Sequence, residues 1–182
     1  LFETTDIPGL ILVTPEKFDD DRGYFSEVYN LKRYSKGNID HTFVQDNQSI
    51  SLKKSTIRGL HFQSPPSAQD KLVRVGQGSV MDVAVDIRKS SKYFGKYFKV
   101  KLSAENRKQL FIPKGFLHGF VSLEDNTELL YKCSDFYAPE HDCTVRFDDP
   151  DLNIDWGQHD SVLNISYKDL RGVSFKDLSS PF

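Results

Sequence analysis

Apolar and polar residues alternate in short runs along most of the chain. Within residues 80–87 one face reads Met81, Val83, Val85 and Ile87, and the other reads Val80, Asp82, Ala84 and Asp86. A period of two is the repeat of a β-strand. Residues 97–102 repeat it, with Phe98, Val100 and Leu102 opposed to Tyr97, Lys99 and Lys101. Similar runs lie at 10–13, 24–29, 45–52, 56–62, 71–75, 109–112, 116–123, 128–135 and 144–147. Turn residues separate them: Asp21-Arg22-Gly23, Ser64-Pro65-Pro66-Ser67, Gly76-Gln77-Gly78, Pro113-Lys114-Gly115 and Glu124-Asp125-Asn126. One short helix is expected over 31–37, capped by Asn30 and ended by Gly37. The polar stretch 166–182 is expected to lie over the surface or mouth of the fold. Many short strands at regular spacing predict an all-β sandwich or barrel.

Composition narrows this picture. At 182 residues the chain has the size of one domain, 1–182, and 38% hydrophobic residues give it a core. Aromatic residues reach 13%, which suits half-buried pleated surfaces. Lys plus Arg number 24 against 26 Asp plus Glu, so nothing suggests binding along nucleic acid phosphates. No apolar run approaches the ~20 residues of a membrane span. Residues 1–9 carry acids and no basic, apolar leader, so no secretory signal is expected. Cys133 and Cys143 make neither a disulfide framework nor zinc spacing, and two thiols fit a reducing cytoplasm.

Candidate chemistry follows from polar residues on apolar faces, because a small barrel offers its interior or mouth to a ligand. Strict alternation over 56–63 puts His61 with Ile57 and Gly59, and Arg58 with Leu60 and Phe62. His61 then reads either as a hydrogen-bonded core histidine or as a functional one. Lys71 shares a face with Val73 and Val75. It either snorkels from a strand end or is a buried cation with a task. Tyr131 lies with Leu129 and Cys133, and His118 with Phe116 and Phe120; each also fits simple packing. Arg58, Arg22 and Arg74 have the fork geometry for phosphate or carboxylate, yet a solvated arginine is commoner. Asp169 reads as an exposed tail carboxylate unless it orients an imidazole. His41, His61, His118, His141 and His159 include no His-x-His pair, so a metal site is not expected. Phosphate-cradling glycine loops and a Gly-x-Ser-x-Gly elbow are absent.

Several segments in order resemble one family. They are Arg58-Gly59-Leu60-His61-Phe62-Gln63, Lys71-Leu72-Val73-Arg74-Val75, Asp82-Val83-Ala84-Val85-Asp86-Ile87-Arg88 and Leu102-Ser103-Ala104-Glu105-Asn106. Ile112-Pro113-Lys114-Gly115-Phe116-Leu117-His118-Gly119-Phe120, Tyr131-Lys132-Cys133-Ser134-Asp135-Phe136-Tyr137 and Ser166-Tyr167-Lys168-Asp169 complete them. Together they resemble the dTDP-4-dehydrorhamnose 3,5-epimerase family from about Ile7 to Asp169. The resemblance implies a cupin-like jelly-roll β-barrel with short peripheral helices, a homodimer, and neither metal nor organic cofactor. It implies inversion of C3 and C5 of dTDP-4-dehydro-6-deoxy-D-glucose, both beside the C4 ketone.

By the same resemblance His61 is the general base, Asp169 its carboxylate partner, Lys71 the cation beside the C4 oxygen and Tyr131 the opposite-face proton donor. Arg58 would contact the diphosphate and Tyr137 would stack on thymine. Arg22, Glu27, Gln45, Asn47, His118 and Lys168 would make other substrate contacts, Arg22 and Glu27 in the partner's barrel. Asp142 stands, one methylene shorter, where the family often has glutamate. Relatives on this framework invert only C3 or only C5. A silent nucleotide-sugar binding protein would keep Arg58 and Tyr137 but lose the acid or base, whereas His61, Lys71, Tyr131 and Asp169 are all present. A metal-dependent cupin oxygenase is the third reading, and metal analysis would separate it.

Overall fold

The computed structural model describes residues 1–157 and 162–182. His159 lies outside the described residues. Two antiparallel sheets carry most of the chain. The first runs β1 (Phe2–Thr4), β2 (Ile11–Val13), β10 (Gln109–Ile112), β7 (Lys71–Gln77), β12 (Thr127–Cys133) and β5 (Gln45–Ser51), in that spatial order. The second runs β13 (Asp142–Thr144), β6 (Thr56–Gln63), β11 (Phe116–Ser122), β8 (Ser79–Asp86) and β9 (Tyr97–Ser103), with β14 (Asn164–Ile165) parallel to the start of β6. β3 (Phe18–Asp20) and β4 (Gly23–Phe25) form a separate exposed hairpin. This is an all-β jelly roll of two facing sheets. Among the described residues they do not close into one hydrogen-bonded cylinder. No helix among those residues is long and apolar enough to cross a membrane.

The alternation explains the layers. Val73 and Val75 of β7, Leu110 and Ile112 of β10 and Leu129 of β12 face Val80 and Ala84 of β8, Leu102 of β9, and Phe116 and Phe120 of β11. Burial of such side chains contributes roughly 1.5–3 kcal/mol each. The outer face of the second sheet, with Leu60, Phe62, Val83, Val85 and Leu117, is covered by Val145, Phe147, Leu152, Trp156, Phe175 and Phe182. The outer face of the first sheet is covered in part by α1 (Leu31–Ser35) and the turn after it, through Tyr34 and Ile39 against Val13, Leu72 and Phe111. Asn30 caps α1 by accepting from the Arg33 N–H at 3.2 Å.

Two expected strands differ. The run 24–29 keeps strand geometry only to Phe25, because the Val28 carbonyl accepts from the Tyr34 hydroxyl at 2.6 Å and from Gln109 Nε2 at 2.9 Å instead of a neighbouring strand. The run 144–147 begins earlier, as β13, and its Val145 continues along β6 through reciprocal bonds with Leu60.

The departure with most consequence is a β-bulge in β6. His118 pairs with His61 and Phe120 with Arg58, so three residue steps on β6 oppose two on β11. The extra residue shifts the alternation. Leu60 and Phe62 join Ile57 on the outer face, while Arg58 and His61 both line the interior. Strict alternation had put His61 with Ile57 and Arg58 with Leu60, and that face assignment is corrected here. Gly59 permits the bulge: its φ is +123°, and a Cβ there would lie 2.6 Å from Gly119 Cα and 2.7 Å from the His118 carbonyl oxygen. Gly59→Ala is therefore expected to cost about 2–4 kcal/mol, read as a lowered denaturant midpoint. A midpoint unchanged from wild type would mean that the bulge tolerates a side chain.

Candidate active site

The interior is apolar at one end and polar at the other, and the strand sequences decide which. β5 turns Gln45, Asn47, Ser49 and Ser51 inward where its counterparts carry valine or leucine. β7 starts inward with Lys71 before reaching Val73 and Val75, and β12 passes from Leu129 to Tyr131 and Cys133. Two adjoining cavities open there. One of about 380 Å³ is lined by Gln45, Asn47, Gln63, Gln69, Tyr137, Asp142 and Lys168. The other, of about 180 Å³, is lined by Ser49, Arg58, His118, Phe120, Leu129 and Asp169. His61, Lys71 and Tyr131 line both.

His61 hangs from the second sheet. Its Nε2 lies 2.6 Å from Asp169 Oδ1, and the Asp169 side chain is only 4% exposed. β14 runs beside β6, and Ser166 then caps the short helix α2 (Tyr167–Leu170) by accepting from the Asp169 N–H at 3.1 Å. Asp169 Oδ2 also accepts from the Gly59 N–H at 3.3 Å. The residue that reads as a tail carboxylate is thus a buried anchor behind the imidazole. With Nε2–H donated to Asp169, Nδ1 has no protein partner among the described residues and is the basic nitrogen left for a ligand.

Burial alone would raise the Asp169 pKa, but hydrogen bonding and charge from His61, with the Gly59 and Ser166 bonds, hold it below the ordinary aspartate value. A depressed carboxyl contributes stability that is complete above the ordinary range near ~4 and is lost as the pH falls through the lowered value. Denaturant midpoints measured between about pH 2 and pH 5 should accordingly decline less in Asp169→Asn than in wild type. Parallel declines would deny that Asp169 is held ionised.

Lys71 and Tyr131 hang from the first sheet, across the gap from His61. The Lys71 ammonium lies 5.9 Å from the centre of the Tyr131 ring and has no carboxylate within ion-pair distance among the described residues. Burial pushes its pKa down, the nearby Cys133, Asp142 and Asp82 oppose that shift, and Lys168 adds to it. Burial, with smaller contributions from Cys133 and Asp142, holds the Tyr131 hydroxyl above the ordinary phenol range against the pull of Arg58. Tyr131 is therefore a neutral O–H donor at physiological pH. Asn47 donates to Cys133 Sγ at 3.6 Å beneath this pair.

The rim is also organised. The Tyr137 hydroxyl donates to Asp142 Oδ2 at 3.2 Å, and Lys168 makes an ion pair with the same oxygen. Gln45 Oε1 accepts from the Tyr137 N–H at 2.8 Å, and Gln63 accepts from the Ala138 N–H at 2.9 Å, so β5 and β6 both hold the exposed tyrosine loop. Arg58 spans the gap to β5, donating to Ser51 Oγ at 3.3 Å and the Ile50 carbonyl at 3.0 Å. It lines the smaller cavity, while Tyr137 lines the larger.

Arg22 and Glu27 are not brought to this site within the chain. Arg22 pairs with Asp20 at 2.5 Å on the exposed hairpin, and Glu27 with Arg33 at 3.3 Å near α1. Two contributors escaped the sequence reading: Gln63, which supports the Tyr137 loop, and Asp82, fully buried with Oδ2 at 2.9 Å from His118 Nε2. The signal for Asp82 was a carboxylate flanked by Val80 and Ala84 on one strand face. Among the described residues no three His, Cys, Asp or Glu side chains cluster as metal ligands would.

A family model described as dTDP-4-dehydrorhamnose 3,5-epimerase matches residues 4–177. The chain belongs to the dTDP-4-dehydrorhamnose 3,5-epimerase family. It is 48% identical over 173 residues to the dTDP-4-dehydrorhamnose 3,5-epimerase of Pseudomonas aeruginosa, covering 94% of this chain and 93% of that one. The solved dTDP-6-deoxy-D-glucose-3,5-epimerase of Legionella pneumophila, in complex with dTDP-4-keto-L-rhamnose, superposes with a TM-score of 0.93 at 42% identity, over 98% of this chain and 94% of that one. A 3′-monoepimerase of Streptomyces bikiniensis, in complex with dTDP-quinovose, shares the fold at a TM-score of 0.87 and 30% identity, over 93% of this chain and 85% of that one. The epimerase framework thus serves both double and single inversion.

Proposed function

We propose that the protein inverts C3 and C5 of dTDP-4-dehydro-6-deoxy-D-glucose to give dTDP-4-dehydro-L-rhamnose. The observation that carries this reading is the opposition of His61, backed by Asp169, on one sheet to Tyr131 and Lys71 on the other. Inversion beside a ketone needs a base on one face of the sugar ring, an acid on the other, and a stabilised enolate between them.

In the proposed step His61 Nδ1 takes the proton from C3 or C5. The C–H electron pair becomes the new C=C bond, and charge moves onto the C4 oxygen. Asp169 stabilises the imidazolium that results. The Lys71 ammonium meets the charge developing on the C4 oxygen; burial has already taken water from it, so the developing anion is worth more to it than water was. Tyr131 then delivers its proton to the opposite face of the carbon. Exchange with solvent restores both groups.

The exposed Tyr137 ring, steadied by Gln45 and Asp142, offers a stacking platform for thymine, and Lys168 and Arg58 offer charge to the diphosphate. His118, Asn47 and Gln45 complete the substrate contacts in this reading. The hairpin of β3 and β4 leaves Phe18, Tyr24 and Phe25 exposed beside Arg22. We read it as the arm that, in a homodimer, carries Arg22 to the partner's site together with Glu27. Free Cys133 and Cys143 fit a reducing, cytoplasmic setting.

The reading is tested by coupling the protein to an NADPH-dependent reductase specific for the L-configured 4-keto sugar. NADPH oxidation that depends on this chain supports it. A reductase that stays idle with fully folded, nucleotide-binding protein contradicts it.

A further inference from the structure

The second imidazole of the cavity stands on a carboxylate of its own. Asp82 is 0% exposed, and both its oxygens face His118 Nε2, at 2.9 and 3.1 Å. No other hydrogen-bond donor reaches its side chain among the described residues. Taking a carboxylate out of water is costly, and one imidazole offsets only part of that. The flanking inward residues of β8, Val80 and Ala84, belong to the apolar core, so packing alone would be met better by a neutral side chain. His118 is itself 8% exposed, is the register partner of His61, and lines the same cavity as His61, Lys71 and Tyr131.

We propose that Asp82 is a positioning residue for the epimerisation: it holds His118 with Nε2–H turned away and Nδ1 left for the cavity. This rests on the function proposed above. Several groups face Lys71. Cys133 is its register partner on β12, and burial keeps that thiol protonated. Asp142 and Lys168 pair with each other at the rim, and the Tyr131 ring lies beside the ammonium. His61, His118, Arg58 and Asp169 line the cavity with it, and Asp169 is engaged by His61. Asp82 is the remaining acid, and its field favours the charged form of Lys71.

The test is the pH profile of kcat and KM for wild type, Asp82→Asn and His118→Asn with the 4-keto sugar nucleotide. In Asp82→Asn, kcat should fall about 10- to 100-fold with KM changed less than about threefold. The alkaline limb, set by Lys71, should move down by about half a unit or more. In His118→Asn the group that Asp82 positions is itself removed, and kcat should fall by a similar factor. Near-wild-type circular dichroism with an unchanged kcat in Asp82→Asn, or a lowered kcat that His118→Asn does not share, would reduce the residue to a structural role and overturn the proposal. Should Asp82→Asn fail to fold, His118→Asn decides: a kcat lowered by about 10-fold or more supports it, and an unchanged kcat overturns it. Wild type without turnover would instead sink the epimerase reading itself.

Discussion

His61→Asn is expected to slow proton removal from both C3 and C5 by about 10³-fold or more, the upper range of what a positioned base contributes. The asparagine can still hydrogen-bond to Asp169, so α2 and the bulge at Gly59 should stay in place. Tyr137 itself lies on a loop outside β6 and is steadied by Gln45 and Asp142, which His61→Asn leaves unchanged. Affinity for dTDP, measured by calorimetry, should therefore change less than about threefold while turnover collapses. Both carbons should suffer alike, because the proposed mechanism assigns both proton removals to His61. A variant that kept wild-type exchange at either carbon would show a second base and remove His61 from that step.

Tyr131→Phe separates proton removal from inversion. The base and its carboxylate are untouched, so His61 still takes the proton and, in D2O, returns a deuteron to the same face. The expected product is substrate labelled with its configuration retained, while inversion falls by about 10²- to 10⁴-fold. NMR reads both at once: loss of the C3 and C5 proton signals reports exchange, and the ring couplings report configuration. Because burial raises the Tyr131 pKa, wild type should keep its donor through the neutral range, and the phenylalanine should remove it at every pH. Label and inversion falling together would show that Tyr131 is not the opposite-face donor.

Much of this site was legible in the order of residues, and the exceptions have physical causes. Lys71 with Val73 and Val75, and Tyr131 with Leu129 and Cys133, were placed on the inward faces they occupy, because β7 and β12 keep a regular period where these residues lie. His61 and Arg58 were put on opposite faces, because periodicity counts residues and cannot see one inserted into a ladder. The glycine at 59 was in view, but whether a glycine marks a bulge depends on how closely the neighbouring strand approaches, here Gly119 of β11.

Asp169 was misjudged alone because its burial comes from β14 pairing beside β6, a contact more than a hundred residues apart in sequence. Only the family resemblance linked it to His61. Asp82 was visible as an acid on a strand face, yet nothing local distinguishes it from Asp86 on the same face, which pairs with Arg88 and Ser91 and ties a loop. What separates the two is the partner across the sheet, and partners are set by register.

The most direct measurement is hydrogen exchange by wild-type protein in D2O with dTDP-4-dehydro-6-deoxy-D-glucose, followed by NMR and mass. Deuterium at both C3 and C5, in a product with both centres inverted, is the predicted result. Label confined to one carbon would make the protein a single-site epimerase, and no label with dTDP still bound would contradict the opposed base and acid on which the account depends.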